Sequence, residues 1–389
     1  MSNATERTGP LKGMLVLDFT AVVSGPVCAQ MLYDNGARVI KVERPGIGDA
    51  LRGCTAPLIH GLFCDIMGIN GGKESIEADL KNPDDLALLK RIIAKADILV
   101  ENFRPGAMAG SGLSYDDVKK INPKIIYASV SGYGQSGPLH LSPAFDIVIQ
   151  SASGFVEATG KPDQPGIAAG ASIADVTSGM LCFSGIMTAL FDRERTGQGA
   201  HVDISMLEGM MMLLTETVCE YTATGKVPKR RGNDHPAAAP FSTYKTAGKD
   251  IAIAVGNQPQ WEHLCKLLQK PEWLEKPEYK GLTGRRDHKE MLRAELEAIL
   301  TTQDHTYWVE KFAAVGVPCT VVQNIADACA MEQQKARGFF VDVDGSQYNG
   351  NPILLSTYPR ITSRPRAPEL GQHSDAIRKE FAAARKETA

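Results

Sequence analysis

Residues 15–43, which read LVLDFTAVVSGPVCAQMLYDNGARVIKVE, decide the fold of this chain. Leu15 to Thr20 form a short apolar strand, and Pro26 suits the first turn of a helix that runs to about Asn35. Residues 37–43 predict a second strand. Strand, helix and strand in this order indicate a parallel βαβ unit, and such sheets bind ligands at the carboxyl ends of their strands.

One interpretation of this unit is a nicotinamide-dependent oxidoreductase. Glu43 closes the second strand at a spacing where an acidic side chain could bind a ribose. The dinucleotide motif G-x-G-x-x-G requires three glycines, however, and Ser24-Gly25-Pro26 supplies one. A nicotinamide site is therefore an open alternative that lacks its phosphate-binding motif.

Further loops follow strands of the same sheet. Residues 97–101 and 124–130 predict buried strands, which end in Asn102-Phe103-Arg104-Pro105-Gly106 and in the glycine-rich residues 132–138. An aromatic ring beside an arginine can hold a purine and a phosphate, or it can close the edge of a sheet. Cations on the loops of residues 44–73 suit phosphates, or they are ordinary solvated side chains.

The loop at residues 170–179, GASIADVTSG, brings Asp175 to the start of a long apolar helix. An aspartate at this place most often caps the helix by accepting backbone N–H groups. The small residues on both sides would also let a substrate approach the carboxylate, and free N–H groups at a helix start can stabilise an anion. Asp175 is thus either a cap or a carboxylate nucleophile.

Length and composition indicate a globular chain of two domains. It has 389 residues, of which 43% are hydrophobic and 22% charged. A net charge of −3 gives no basic field for nucleic acid or an anionic membrane. Residues 226–240 shift to Lys, Arg, Gly, Pro and Ala without periodicity, which predicts a linker between a first domain, 1–225, and a second, smaller one.

Eight cysteines lie at 28, 54, 64, 182, 219, 265, 319 and 329, with no C-x-x-C and no spacing typical of metal ligands. They predict reduced thiols and a cytoplasmic protein without a bound metal. The polar N-terminus shows no secretory signal, and the longest apolar runs, each broken by Glu, Thr or Ser, predict no membrane span.

Several segments, taken in order, are similar to the class III CoA-transferases. This family includes the formyl-CoA and carnitine CoA-transferases and the α-methylacyl-CoA racemases. The similarity spans nearly the whole chain, and the order and spacing of its segments carry it better than any single one. The segments are residues 16–20, 24–26, 36–43, 48–49, 101–106, 175–176, 232–236, 239–241 and 255–257.

The resemblance implies an α/β fold, with a Rossmann-like large domain built on a parallel sheet and a smaller α+β domain at 241–323. Residues 324–389 would return to the large domain as a linker and its C-terminal part. It further implies an interlocked homodimer of two ring-like subunits.

The resemblance also implies roles for individual residues. Asp175 falls on the family's catalytic aspartate, and Arg44 falls on a contact to a CoA phosphate. Asn102, Phe103 and Arg104 fall on the segment that touches the CoA nucleotide. The remaining residues expected to bind CoA are Ser24, Asn70 and Lys73.

Within the family, the racemase branch places a histidine before the aspartate of a G-H-D segment, where this chain has Ala144-Phe145-Asp146. Phenylalanine cannot carry a proton, which disfavours a racemase. Formyl-CoA transferases have a glutamine where this chain has Val23, a tryptophan where it has Cys54 and an arginine where it has Gly110. These differences disfavour a strict formyl-CoA donor too. The candidates for the substrate pocket are Val23, Cys54, Tyr133, Phe145 and Asp146.

The pattern looks nearest to the acyl-CoA:oxalate CoA-transferases. It predicts an enzyme that takes CoA from acetyl-CoA, formyl-CoA or succinyl-CoA and transfers it to oxalate, through a covalent intermediate on Asp175 and without a permanently bound cofactor. Succinate, citramalate and mesaconate are alternative acceptors. A protein that binds CoA esters without turnover is the non-enzymatic alternative.

Overall fold

The computed structural model describes residues 8–55, 57–59 and 61–383. They form two compact units. The large unit comprises the described residues up to Val156, Ala168–Lys226 and those from Gln333 onward, and the small unit comprises Glu157–Ile167 and Val227–Glu332. The predicted linker, 226–240, and the predicted small domain, 241–323, thus fall almost wholly within the small unit. That unit also takes in Glu157–Ile167, which the sequence prediction placed in the large domain.

The strands among the described residues are named here in chain order. They are β1 (Leu15–Asp18), β2 (Arg38–Glu43), β3 (Leu58–Ile59), β4 (Leu62–Phe63), β5 (Glu74–Glu77), β6 (Ile98–Glu101), β7 (Ile126–Ser131), β8 (Ala200–Ser205), β9 (Phe241–Tyr244), β10 (Ile251–Ala254), β11 (Cys319–Val321), β12 (Phe340–Val343) and β13 (Ser346–Asn349).

The α-helices of the same residues follow the chain in the same way. They are α1 (Ser24–Asp34), α2 (Cys64–Asn70), α3 (Pro83–Ile93), α4 (Tyr115–Ile121), α5 (Asp146–Ala152), α6 (Phe155–Ala158), α7 (Ile173–Thr196), α8 (Met206–Leu213), α9 (Thr215–Thr224), α10 (Gln258–Leu267), α11 (Gly281–Asp287), α12 (Lys289–Leu300), α13 (His305–Ala314), α14 (Ile325–Ala330), α15 (Glu332–Ala336) and α16 (Ser374–Glu380).

A six-stranded sheet forms the centre of the large unit, in the order β5-β2-β1-β6-β7-β8. Every neighbouring pair in it is parallel. The predicted parallel sheet is therefore confirmed, and its strand order is that of a Rossmann-like fold. The order reverses between β1 and β6, and open α/β sheets bind ligands at such a point, outside the carboxyl ends of the two strands.

Alternate residues of the sheet feed two separate apolar cores. Val16 and Val100 point to one face, where they pack with α1 and α7, and Leu17 and Leu99 point to the other face, where they pack with α3. A strand that is buried on both faces must be apolar throughout. This requirement explains why the central strands are continuous apolar runs in the sequence.

Helix α7 begins at Ile173, so that Asp175 lies inside its first turn. Among the described residues it is the one helix long and apolar enough to cross a membrane. Its buried side chains, which include Cys182, Phe183 and Ile186, pack in the same core as α1. Part of its apolar surface therefore belongs to the core of the large unit.

The end of the described chain covers β5, an edge strand that the sequence did not predict. The backbone N–H of Ser75 donates to Nδ1 of His373 at 3.1 Å, and the backbone C=O of Ser75 accepts the N–H of His373 at 3.0 Å. Glu77 binds Ser374 and Arg378 through its own backbone N–H and C=O groups. Backbone and side-chain groups about 300 residues further along the chain thus close this edge of the sheet.

The small unit has its own antiparallel sheet, β11-β10-β9, and its own core. Trp261 stacks on Trp273 and meets Tyr279 edge to face, with ring centroids 5.9 Å apart in both cases. This core consists of residues of the small unit alone.

Candidate active site

A cleft that is open to solvent lies where the strand order reverses. The loop after β1 and the loop after β6 form two of its walls, and the loops around β7 and α5 complete it. Every residue that lines it belongs to the large unit: Ala21, Val22, Ser24, Asn102, Phe103, Arg104, Pro105, Val130, Ser131, Gly132, His140, Ser142, Pro143, Ala144, Phe145, Asp175 and Met206.

Asp175 reaches this cleft from the first turn of α7. Its carboxylate is partly buried, and this loss of solvent, together with the negative charge of Asp146, raises the pKa of Asp175 from 3.8 to about 6. The group is still ionised at neutral pH, but it is more basic than an ordinary aspartate. A basic, ionised carboxylate beside an open cleft can act as a nucleophile.

Asp146, rather than Asp175, caps the helix. Its Oδ1 accepts the N–H of Ala174 at 2.8 Å and the N–H of Asp175 at 3.2 Å. This result decides against the interpretation of Asp175 as a cap. It also corrects the expectation that free N–H groups of this helix stabilise an anion, because the carboxylate of Asp146 already occupies them.

The other N–H groups of the first turn also have partners. The N–H of Ile173 donates to the C=O of Ala171 at 2.7 Å, and that of Val176 donates to the C=O of Ser172 at 3.0 Å. Donors for a reacting oxyanion must therefore come from elsewhere.

Four of the predicted CoA-binding residues meet in the cleft: Ser24, Asn102, Phe103 and Arg104. Arg104 is exposed, and Phe103 is half-buried. The N–H of Phe103 donates to Oε2 of Glu101 at 2.9 Å, which fixes the start of this loop at the end of β6. Arg44 is exposed on the loop that follows β2, and it does not line the cleft.

The structure corrects the prediction for Asn70 and Lys73, which are buried in the large unit. The ammonium group of Lys73 contacts Asp18 Oδ2 at 2.9 Å, Asn70 Oδ1 at 2.9 Å and the C=O of Pro26 at 3.3 Å. Its hydrogen-bonding capacity is used inside the protein. In this structure neither side chain can reach a CoA phosphate.

The substrate-pocket candidates are divided in the same way. Phe145, which is 69% exposed, lines the cleft. Asp146 does not line the cleft and instead caps α7. Val23 lines a different, apolar cavity with Val27 and Val176. Cys54 and Tyr133 do not line the Asp175 cleft either. Cys54 ends a short 3₁₀ turn, and Tyr133 packs against the core that contains residues of α1 and α7.

The nicotinamide interpretation fails at Glu43. This side chain is buried, and its two oxygens accept from Arg52 at 2.7 and 2.8 Å and from Ser75 Oγ at 2.6 Å. Burial alone would raise the pKa of Glu43, but Arg52 and Lys41 outweigh burial and lower it. Glu43 is a structural anion with no oxygen available to a ribose.

Two titratable residues were not among the site candidates predicted from the sequence: Glu101 at the end of β6 and His140 on the cleft wall. Glu101 is buried, and this burial raises its pKa to about 7 although Ser129 and the N–H of Phe103 donate to it. A charged residue that ends the apolar strand Ile98–Glu101 was a usable signal. His140 lines the cleft and contacts the C=O of Gly137 through Nδ1 at 2.7 Å. No local pattern distinguishes it from an ordinary loop histidine.

No group of three or more His, Cys, Asp or Glu side chains that could hold a metal ion occurs in the part of the chain that the structure describes.

Comparison with known proteins matches residues 11–374 to CoA-transferase family III. The chain belongs to this family. It is 40% identical to an acetyl-CoA:oxalate CoA-transferase from Acetobacter aceti, with 96% of each chain covered. It is 34% identical to a succinate–glutarate CoA-transferase from Agrobacterium fabrum, with 97% of each covered. The protein is thus a class III CoA-transferase, as its sequence predicted.

A solved structure has the same fold. It is a CaiB/BaiF family protein from Brucella suis, with a TM-score of 0.87 and 34% sequence identity. The alignment covers 96% of this chain and 100% of the other.

Proposed function

We propose that this CoA-transferase moves CoA from a small acyl-CoA donor to oxalate through covalent intermediates on Asp175. The observation that carries this proposal is the position of one partly buried carboxylate, with its pKa raised to about 6, at the cleft where the strand order reverses. The donors considered are acetyl-CoA, formyl-CoA and succinyl-CoA.

The proposed reaction begins with an attack of the Asp175 carboxylate on the thioester carbonyl. The C–S bond breaks, CoA leaves as a thiolate, and an acyl–aspartyl anhydride remains. The thiolate then attacks the aspartyl carbonyl and releases the donor acid, which leaves an aspartyl-CoA thioester. The acceptor carboxylate attacks this thioester, the C–S bond breaks, and an acceptor–aspartyl anhydride and CoA thiolate form. The thiolate then attacks the acceptor carbonyl of this anhydride, which gives the acceptor's CoA thioester and releases the Asp175 carboxylate. Each of these steps is an acyl transfer, and none of them uses a bound cofactor.

Basicity of the nucleophile supports this assignment. A carboxylate with a pKa of about 6 is mostly ionised at neutral pH and retains more of the basicity that favours attack on a carbonyl than an ordinary aspartate does. Phe103 and Arg104 on one wall offer an aromatic face and a cation to the nucleotide of CoA, and Arg44 offers a cation for a phosphate.

The second part of the proposal is the identity of the acid that accepts CoA. Oxalate is the first choice because the relative from Acetobacter aceti carries oxalate in its name. Succinate, glutarate, mesaconate and citramalate are alternatives, and the relative from Agrobacterium fabrum is named for succinate and glutarate. A racemase is disfavoured, since the exposed Phe145 offers no proton where that branch has a histidine.

We also propose a homodimer, which the family resemblance describes as interlocked. Apolar side chains of α7, α8 and α9 are exposed in the single chain: Phe191 at 67%, Met212 at 68% and Tyr221 at 53%. Exposed groups of this kind are typical of a protein interface. Sedimentation should give a dimer at micromolar concentration, and a monomer would contradict this part of the proposal. A cytoplasmic location stays a prediction of the sequence.

The covalent intermediate is tested by mass spectrometry of protein quenched after mixing with acetyl-CoA. We expect a mass gain of CoA minus water on Asp175, which hydroxylamine removes. Asp175→Ala should lose both adduct and transferase activity, while Asp192→Ala, at an exposed position of the same helix, should keep both. Full activity of Asp175→Ala would contradict the mechanism.

The acceptor is tested with a panel that combines the three donors with oxalate, succinate, glutarate, mesaconate and citramalate. The highest kcat/KM is expected for oxalate with acetyl-CoA. A higher value for another dicarboxylate would reassign the substrate and leave the role of Asp175 unchanged.

A further inference from the structure

The turn between β1 and α1 has an unusual backbone. Val22 adopts a φ of 66°, and among the described residues it is the one β-branched residue with a positive φ. A β-branched side chain clashes with the backbone in this region, so such a conformation persists only where the surroundings impose it. Ala21 and Val22 line the cleft that Asp175 enters.

Side chains from three other segments hold this turn. Asp18 Oδ1 accepts the N–H of Thr20 at 2.9 Å, and the ammonium group of Lys41 donates to the C=O of Thr20 at 2.6 Å. Asp49 Oδ1 accepts the N–H of Val22 at 3.0 Å. A single residue, Asn102, forms hydrogen bonds with both the N–H and the C=O group of Ala21.

The amide of Asn102 spans Ala21. Its Oδ1 accepts the N–H of Ala21 at 2.9 Å, and its Nδ2 donates to the C=O of Ala21 at 2.8 Å and to Ser24 Oγ at 3.1 Å. A carboxamide has two N–H donors, and both are used here. A contact from Nδ2 to CoA would require one of these hydrogen bonds to break.

We infer that Asn102 is a positioning residue, which clamps the left-handed turn at Val22 and thereby fixes the cleft wall that orients the thioester toward Asp175. This inference rests on the proposed function. It differs from the role that the family resemblance implies for Asn102, a direct contact to the nucleotide of CoA. Misplacing a substrate by about 1 Å can reduce a rate by roughly 100-fold, so a fixed wall matters for the chemical step.

The test is a double-mutant cycle between Asn102→Ala and Val22→Gly. Glycine adopts positive φ without a clash, so it should make the clamp less necessary. We expect Asn102→Ala alone to lower kcat by about 10- to 100-fold, with KM for acetyl-CoA within about threefold of wild type. In the Val22→Gly background the same substitution should lower kcat by less than about threefold.

A CoA-binding role for Asn102 gives a different result. KM would then rise, and the loss would be the same in both backgrounds, which would overturn the inference. If Asn102→Ala does not fold, Asn102→Asp serves in the same cycle, because it keeps the acceptor for Ala21 and loses both donors.

Asn122→Ala is the matched control. Asn122 also spans backbone groups, with Nδ2 donating to the C=O groups of Ile93 and Ala96 at 3.0 and 2.7 Å, but it does not line the cleft. It should lower the Tm without coupling to Val22→Gly.

The Tm of the ligand-free variants separates this inference from the proposed function. Coupling between Asn102→Ala and Val22→Gly in Tm is expected whatever the reaction mechanism, and additive effects would overturn the clamp. The absence of an Asp175 adduct in the wild-type protein would instead overturn the proposed mechanism, and it would leave the Tm cycle unchanged.

Discussion

Two groups of charges in the large unit differ in how their carboxylates are paired. In the first, Asp18 contacts Lys73 at 2.9 Å, and Asp49 contacts Lys41 at 3.0 Å. In the second, Asp175 has Asp146 as its charged neighbour. The first group is buried and the second is partly buried, and only the first is compensated by cations.

The pKa values move in opposite directions as a result. Burial alone would raise the pKa of Asp18, but Lys73, Lys41 and the hydroxyl of Thr20 outweigh it and lower the pKa. For Asp175, burial and Asp146 act together and raise the pKa to about 6. The direction of the pKa shift at these two aspartates is therefore decided by the charges of their neighbours and not by burial alone.

The largest expected effect comes from breaking the compensated group. Lys73→Met should lower the free energy of unfolding by about 3–5 kcal/mol, because Asp18 would remain buried without its nearest cation. Urea denaturation followed by circular dichroism measures this loss. Lys81→Met, at an exposed position, is the control and should change the stability by less than about 0.5 kcal/mol. An equally small loss for Lys73→Met would show that Asp18 does not need this cation.

Removing the charge of Asp175, which has no cation beside it, should increase the stability of the protein. Asp175→Asn should raise the free energy of unfolding by about 1–3 kcal/mol at pH 7.5, since a carboxylate with a raised pKa destabilises the folded state when ionised. The gain should be complete above about pH 6 and should shrink as the pH falls toward 3.8. Urea denaturation at pH 7.5 and pH 4.5 measures it, and an equal gain at both pH values would contradict the assigned cause.

The smallest effect is expected for Asp146→Asn, which removes the second negative charge. Asparagine can still accept the N–H groups of Ala174 and Asp175. The pKa of Asp175 should fall, so the pH at which adduct formation is half-maximal should fall too, with less than about a tenfold change in rate at pH 7. Stopped mixing with acetyl-CoA and mass spectrometry gives this profile. Asp192→Asn should leave the profile unchanged; an unshifted profile for Asp146→Asn would show that burial alone raises the pKa.

Local sequence patterns predicted the elements that carry the site. The βαβ unit of residues 15–43 and the helix that follows Asp175 are properties of short stretches, and the parallel sheet followed from them. The partners of the charges could not be predicted in this way. Lys73 looks like a cation on a glycine-rich loop, but Asp18, 55 residues away, makes it a buried structural group.

The same limit applies to Asp175 and Val22. The small residues around Asp175 suggested an accessible carboxylate, whereas its cap, Asp146, lies 29 residues earlier. No local sequence pattern predicts the positive φ of Val22, because the groups that hold this turn are distant in the chain: Asp49 is 27 positions from Val22, and Asn102 is 81 positions from Ala21. Secondary-structure propensity depends on residues that are close in the sequence. The capping of α7 by Asp146 and the backbone conformation of Val22 depend on residues that come together only in the folded protein.

The closure of β5 by residues near His373 has a consequence for synthesis of the protein. β5 is made early, but the groups that cover its edge leave the ribosome almost 300 residues later. At about 5–20 residues per second, this separation corresponds to roughly 15–60 s during which the strand has an open edge. An open edge is a template for pairing with another chain, so nascent chains of this enzyme should depend on chaperones until the last helix emerges.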